Sequence, residues 1–173
     1  MLAALILPAA AVERPVRLID QAGRAFTLPS LSGTPVIVTF VAAHCADACP
    51  LINAQFARVA HTFKAQHRNV KLLTITLDPE NDPPRVMSAL ARTFSADPRT
   101  WIVASGSVSE VHRAMRMFGV VAQRGRKGYA DAHTTFVYLV DSHGRLEKTL
   151  LASPDLGTQV VEEVRAQWHA LAP

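Results

Sequence analysis

Apolar and polar positions follow two different periods along the chain, and the periods predict a succession of strands and helices. Residues 36–41 are almost wholly apolar and rich in β-branched side chains, which is typical of a strand covered on both faces. Apolar residues then recur at steps of three and four between residues 52 and 63, the signature of an amphipathic helix. The same order recurs further on, with strands predicted at 70–77 and 101–104 and helices at 86–94 and 108–118.

Turn residues near both ends of the chain predict antiparallel hairpins. Asp20-Gln21-Ala22-Gly23 separates two short β-favouring segments, and Asp141-Ser142-His143-Gly144 separates the strands predicted at 135–140 and 145–151. A last amphipathic helix follows at 161–171. Alternating strands and helices favour parallel pairing with right-handed crossovers, whereas hairpins add antiparallel strands. We therefore predict an α/β, thioredoxin-like fold with a mixed central sheet, helices on both faces and an N-terminal hairpin.

Length and composition predict one globular domain, preceded by a short leader. The 173 residues are 49% hydrophobic, enough for one core. Residues 2–11 are apolar and end in Ala9-Ala10-Ala11, a pattern that signal peptidases cleave, although no Lys or Arg precedes them. We predict a signal peptide or leader remnant at 1–12, a single domain at 13–173, and export. The apolar run is shorter than the roughly 20 residues that span a bilayer, so membrane association would require an additional anchor.

The chain is basic, but its composition does not predict nucleic-acid binding. The formal charge is +4 and the pI is about 9.5, yet aromatic residues make up only 6% and interleave with no long Lys/Arg block. The densest basic run is 124–128, flanked by glycines. We interpret it as a solvated loop, with electrostatic steering of an acidic partner as the alternative.

Two cysteines carry the clearest chemistry in the sequence. Cys45 and Cys49 lie between the apolar strand and the first helix, and two cysteines this close do not form a disulfide framework. Helical spacing would place both sulfurs on one face, where the positive helix N-terminus favours two thiolates. Paired thiolates favour Cu(I) or Zn, and structural Zn sites use four protein ligands. The shortage of cysteines predicts copper completed by a histidine.

Seven histidines compete for the third position. Five are interpreted as surface side chains: His61, His67, His112, His143 and His169. His44 precedes Cys45 directly and stays a candidate. His133 leads into a strand predicted to run antiparallel to the central one, so its loop lies at the sheet edge where Cys45 emerges. Geometry alone leaves both histidines open.

Four segments together resemble the SCO/SenC family, over nearly the whole predicted domain. They are Phe40-Val41-Ala42-Ala43-His44-Cys45-Ala46-Asp47-Ala48-Cys49-Pro50, Thr76-Leu77-Asp78-Pro79-Glu80-Asn81-Asp82-Pro83-Pro84, the Trp101 strand, and His133-Thr134-Thr135-Phe136-Val137-Tyr138-Leu139-Val140-Asp141. The resemblance implies that Cys45, Cys49 and His133 bind copper, as Cu(I) or Cu(II). It also implies delivery of that copper to the CuA-bearing subunit of cytochrome c oxidase, and a periplasmic or other extracytoplasmic location.

The chain departs from the pattern of this family at three positions. Ala43, Ala46 and Ala132 stand where the family commonly has Thr, Pro and Asp, and the last change removes an acidic neighbour of His133. Asp78 and Asp82 resemble acidic residues of the family, and we expect them to support the fold rather than bind metal. Asp47 is expected to accept a hydrogen bond where the helix begins.

Two other classes of function compete with a copper chaperone. A thiol-disulfide oxidoreductase would use the same strand-to-helix junction, but such enzymes usually have Cys-x-x-Cys and a cis-proline facing it, and no proline lies near His133. The spacing favours metal, although dithiol redox chemistry could accompany copper transfer. A copper or redox sensor is the third class. A peroxidase is less well supported, because no Thr-x-x-Cys precedes a helix. Enzymatic activity is not predicted beyond the oxidoreductase alternative.

Overall fold

The structure is a computed structural model that describes residues 14–45, 48–133 and 135–171, without the side chains of 48, 131–133 and 167–171. The predicted leader lies outside these residues, and the predicted extent of the single domain stays a prediction. The strands are β1 (Arg17–Ile19), β2 (Ala25–Thr27), β3 (Val36–Val41), β4 (Lys71–Thr76), β5 (Trp101–Ala104), β6 (Ala122–Arg124), β7 (Ala130–His133), β8 (Phe136–Val140) and β9 (Leu146–Leu151). The helices are α1 (Ala48–Ala65), α2 (Pro84–Thr93), α3 (Val108–Met117) and α4 (Leu156–Leu171).

Five strands form the central sheet, in the order β5-β4-β3-β8-β9. Strand β3 pairs parallel with β4, and β4 pairs parallel with β5, while β8 runs antiparallel to both β3 and β9. β1 and β2 form a separate antiparallel hairpin. The predicted mixed sheet with an N-terminal hairpin is therefore confirmed.

Each face of the sheet is covered by a separate apolar layer, because side chains alternate across a strand. Ile37 and Val41 of β3 pack with residues of α1, α2 and α4, whereas Val38 and Phe40 pack with residues of α3. Helices thus lie on both faces, as predicted. Burial of β3 from both sides explains why its sequence is apolar throughout.

Trp101 is the largest fully buried side chain of the first layer. Its ring centroid lies 5.9 Å from that of Phe56 on α1, and its indole N–H donates to Thr74 Oγ1 at 3.0 Å. The hydrogen bond satisfies the polar atom that a buried tryptophan brings into the core. Truncating such a side chain to alanine typically costs about 3–5 kcal/mol.

A third hairpin joins β6 and β7, and the basic run 124–128 forms its turn: residues 126–128 are exposed, as expected of a solvated loop, whereas Arg124 is the last residue of β6. Ala122 pairs with His133 and Arg124 with Ala130, and the chain reverses between Gly125 and Tyr129, whose backbone groups are hydrogen-bonded at 2.8 Å. Gly128 has φ +77°, a conformation that favours glycine at this turn. Arg124 is held by intramolecular ion pairs to Asp78 and Glu80. His133 consequently lies in strand β7 rather than in a loop.

No helix within the described ranges combines the length and the apolar character needed to cross a membrane.

Candidate metal centre

Cys45 and Cys49 lie where β3 ends and α1 begins. After Val41 the chain turns at residues 42–45, closed by a hydrogen bond from the Cys45 N–H to the Ala42 carbonyl at 3.1 Å. Cys45 is half-buried and Cys49 is 2% exposed, and in the structure both are thiols rather than a disulfide. The Cys49 thiol is hydrogen-bonded to Cys45. The predicted convergence of the two sulfurs at this junction is therefore present.

Burial raises the pKa of the Cys49 thiol, whereas the sequence predicted a lowered pKa. Desolvation raises the pKa of the Cys49 thiol far above its usual range, and the hydrogen bond to Cys45 raises it further, while a hydrogen bond with the Ala42 backbone lowers it less. The expectation of two thiolates at neutral pH is therefore wrong for Cys49 in the metal-free protein. Metal coordination deprotonates a thiol outright, so a cation would replace this proton.

The backbone brings the segment of His133 to the same edge of the sheet. Because β8 is antiparallel to β3, the first residues of β8 lie beside the last residues of β3, with Thr39 paired to Val137. Thr39 Oγ1 also donates to the Phe136 carbonyl at 3.1 Å. His133 ends β7, just before β8 begins.

The ligand set of Cys45, Cys49 and His133 stays a prediction. The side chain of His133 lies outside the described residues, so its distance to the sulfurs is not defined by the structure. Among the side chains that are described, no three metal-ligating groups form a cluster.

His44, the other histidine candidate, lies against Tyr129 and Asp82. Its ring lies nearly perpendicular to that of Tyr129, at 85° and 3.7 Å between centroids. Its Nδ1 lies 3.6 Å from Asp82 Oδ1. The interpretation of His61, His67, His112 and His143 as surface residues is confirmed, whereas the His169 side chain lies outside the described residues.

Asp82 and Asp78 are fully buried and support the backbone around the cysteines and the β6–β7 hairpin. Asp82 Oδ2 accepts hydrogen bonds from the Ala43 N–H and from Thr76 Oγ1, both at 2.9 Å. Asp78 Oδ2 accepts one from the Ala130 N–H at 3.1 Å. These contacts confirm the expected structural role of both aspartates, while Asp47 lies outside the described residues.

Burial also governs the Asp82 carboxyl: desolvation raises its pKa, and the hydrogen bonds from Ala43 and Thr76 oppose that effect.

Sequence reasoning missed three residues that organise this edge: Asn81, Arg124 and Tyr129. Asn81 Nδ2 donates to both Asp78 oxygens, at 3.1 and 3.0 Å, and to the Gly128 carbonyl at 3.2 Å. The Asp-Pro motif pointed to the loop of Asn81, but the Gly128 carbonyl that Asn81 contacts lies 47 positions away in sequence. Only the folded chain shows that this loop and the hairpin meet.

The fold and site define a class: a thioredoxin-like protein with a cysteine pair at the junction of its central strand and first helix. The SCO1/SenC family pattern matches residues 6–169. The chain belongs to the SCO1/SenC family.

Individual relatives agree with this assignment. The "SCO1 protein homolog" of Bacillus subtilis is 26% identical over 131 residues, which cover 75% of this chain and 68% of that protein. The "Protein SCO2 homolog, mitochondrial" of Danio rerio is 32% identical over 133 residues, 73% of this chain and 47% of that protein. This chain thus spans about half to two thirds of the length of these relatives.

The fold also matches a solved structure with metal. The structure of Bradyrhizobium japonicum ScoI with copper bound superposes with a TM-score of 0.74 at 27% identity, covering 88% of this chain and 99% of the other. The thioredoxin-like architecture predicted from the sequence is that of the Sco structures.

Proposed function

We propose that this chain binds one copper ion through Cys45, Cys49 and His133 and delivers it to the CuA-bearing subunit of cytochrome c oxidase. The observation that carries the proposal is the pair of hydrogen-bonded thiols at the end of β3, at the edge where the strand of His133 arrives. Soft thiolates with one imidazole suit Cu(I), which is satisfied by two or three ligands. Membership of the SCO1/SenC family and the copper-bound relative support the choice of metal.

X-ray absorption spectroscopy of the copper-loaded protein tests the ligand set. We expect a Cu(I) site with two sulfur neighbours and one imidazole nitrogen in the wild type, and loss of the imidazole contribution in His133→Ala. His143→Ala is the matched control, because His143 is an exposed histidine at the opposite end of β8. An unchanged coordination shell in His133→Ala would reject His133 as a ligand. Repeating the measurement on protein loaded with Cu(II) while both thiols are reduced shows whether the same set holds Cu(II).

Copper transfer itself requires an acceptor, and the family implies the CuA-bearing subunit. We expect purified, copper-loaded protein to load a metal-free CuA domain, and the variant Cys45→Ser to fail because it cannot hold the ion. The family also implies that the protein acts outside the cytoplasm. Fractionation of the host cells tests the location independently of metal binding.

Thiol-disulfide exchange is the second candidate, and the contact between the two cysteines favours it. Two thiols that are already hydrogen-bonded need little movement to form a disulfide. An insulin or glutathione assay separates the candidates. Appreciable turnover in the absence of copper would favour an oxidoreductase, whereas a copper chaperone should bind Cu(I) stoichiometrically and turn over little substrate.

A further inference from the structure

One loop contacts both segments that carry the proposed ligands. Residues 78–82, between β4 and α2, reach the cysteine segment through Asp82, which accepts the Ala43 N–H. The same loop reaches the β6–β7 hairpin through Asp78, which accepts the Ala130 N–H, and through Asn81, which donates to the Gly128 carbonyl. The loop therefore forms a common support for Cys45 and for the hairpin of His133.

His44 contacts both the 78–82 loop and the β6–β7 hairpin. Its Nδ1 faces Asp82 Oδ1 at 3.6 Å, and that buried oxygen has no hydrogen-bond partner in the part of the chain that the structure describes. The same imidazole ring packs against Tyr129, which lies on the hairpin turn. A buried acceptor without a partner is costly, so the approach of an N–H group towards it is favourable.

We propose that His44 is a positioning residue, which ties the cysteine segment to the hairpin of His133 through its contacts with Asp82 and Tyr129. The inference rests on the proposed function, because the tie matters only if both segments bind one ion. These contacts join protein groups only, so we expect them to hold the two segments in place whether or not copper is bound. Groups that orient metal ligands typically contribute about 10–100-fold to metal affinity.

The position of His44 distinguishes this role from that of an ordinary surface histidine. Its side chain is 28% exposed, whereas that of His143 is 71% exposed. Both have an aspartate oxygen at similar range, 3.6 Å for His44 and 3.5 Å for His143. His143, however, lies in the β8–β9 turn, far along the sheet from the cysteines. Both His44→Ala and His143→Ala remove a histidine that lies near an aspartate, but only His44→Ala also removes the connection between the cysteine segment and the hairpin.

Hydrogen exchange of the metal-free protein is the first test. The Gly125 amide donates to the Tyr129 carbonyl within the hairpin, and the Ala130 amide donates to Asp78. In His44→Ala both amides should exchange severalfold faster than in wild type. In His143→Ala they should exchange at the wild-type rate. Equal exchange of these amides in wild type and His44→Ala would overturn the inference, whatever the protein does with copper.

Cu(I) affinity, measured by competition with a chromophoric chelator, is the second test. We expect about a 10–100-fold loss in His44→Ala and in Tyr129→Leu, with the double variant no weaker than the worse single one, because both changes break one tie. Tyr129→Phe keeps the ring and should keep the affinity.

The outcomes separate the inference from the proposed function. Wild-type protein that binds no Cu(I) would reject the proposed function, and the exchange experiment would still decide on the tie. The proposed function would stand and the tie would be rejected if wild type binds Cu(I) tightly but His44→Ala loses no affinity. The same conclusion would follow if the affinity losses of His44→Ala and Tyr129→Leu add up in the double variant.

Discussion

At the scale of single residues, two aspartates build the same turn at two places in the chain. Asp20 Oδ1 accepts the N–H groups of Ala22 and Arg24, and its Oδ2 accepts Arg24 Nε. Asp141 repeats these contacts with the residues two and four positions later. A glycine with positive φ completes each turn, at +79° for Gly23 and +82° for Gly144. The sequence Asp-x-x-Gly-Arg thus encodes a self-contained hairpin turn.

Asp141 should make the free energy of unfolding depend on pH in the acid range. The Arg145 N–H, with help from the Arg145 side chain and the His143 N–H, holds the pKa of Asp141 well below its usual range of about 3.9. A depressed folded-state pKa contributes stability above the unfolded value and loses it as pH falls towards the folded one. We expect Asp141→Asn to lower the melting temperature at pH 7, and the difference from wild type to narrow steadily below about pH 4.

Thermal unfolding followed by circular dichroism between pH 7 and pH 2.5 provides the measurement. Glu162→Gln is the control, because Glu162 is exposed and has no side-chain hydrogen bond or ion pair within the described part of the chain. A constant gap between Asp141→Asn and wild type over the whole range would contradict the assigned role.

Residue identity predicted some of the site and missed the rest for a physical reason. Cys45 and Cys49 stand out because their type and spacing carry the chemistry whatever surrounds them. The raised pKa of Cys49 could not be predicted, because it depends on how closely the protein packs around the first turn of α1. The contacts of His44 with Asp82 and Tyr129 were equally hidden, since each joins segments far apart in sequence.

At the scale of elements, the strands and helices of the central sheet were predictable and the β6–β7 hairpin was not. Strand β3 and helix α1 carry strong periods because the core packs on them. β6 and β7 are short, and the described side chains of β6 are exposed or only partly buried, so no apolar alternation marks them. Contacts with the 78–82 loop stabilise the hairpin instead, through Arg124, Gly128 and Ala130.

Arg124 should therefore matter far more than its basic neighbours. It pairs with the buried Asp78 at 3.2 Å and with Glu80 at 2.9 Å, and it donates to the Gly128 carbonyl at 2.6 Å. We expect Arg124→Gln to lower the free energy of unfolding by about 1–3 kcal/mol, because the buried Asp78 carboxylate loses its cationic partner. Urea denaturation at pH 7 measures the loss.

The same hairpin offers the matched control. Arg126 is exposed and forms no ion pair within the described residues, so Arg126→Gln should change the free energy of unfolding by less than about 0.5 kcal/mol. Equal effects of the two substitutions would show that the ion pairs of Arg124 do not stabilise the hairpin.

At the scale of the whole molecule, the mixed sheet makes a site from distant parts of the chain. The parallel β3–β4 pair carries the cysteines and the 78–82 loop to one edge, and the antiparallel β8 begins at that edge, so β7 ends close to it. This convergence was predictable, because strand direction alone determines which ends meet. The side-chain distances at that edge are not determined by topology, since they depend on the hairpin and on the residues that hold it.

Copper bound across this edge should stabilise the whole fold, because a ligand that binds only the native state shifts the unfolding equilibrium. At a free Cu(I) concentration about 100 times Kd, the gain is about 2.7 kcal/mol. For a domain of this size that corresponds to a rise in melting temperature of about 5–10 °C. Scanning calorimetry under anaerobic conditions measures the rise, and a Cu(I) chelator should reverse it. We expect a smaller rise in His133→Ala and none in a Cys45→Ser, Cys49→Ser double variant. An equal rise in that double variant would show that copper binds elsewhere, because the β3–α1 junction would then lack both thiols.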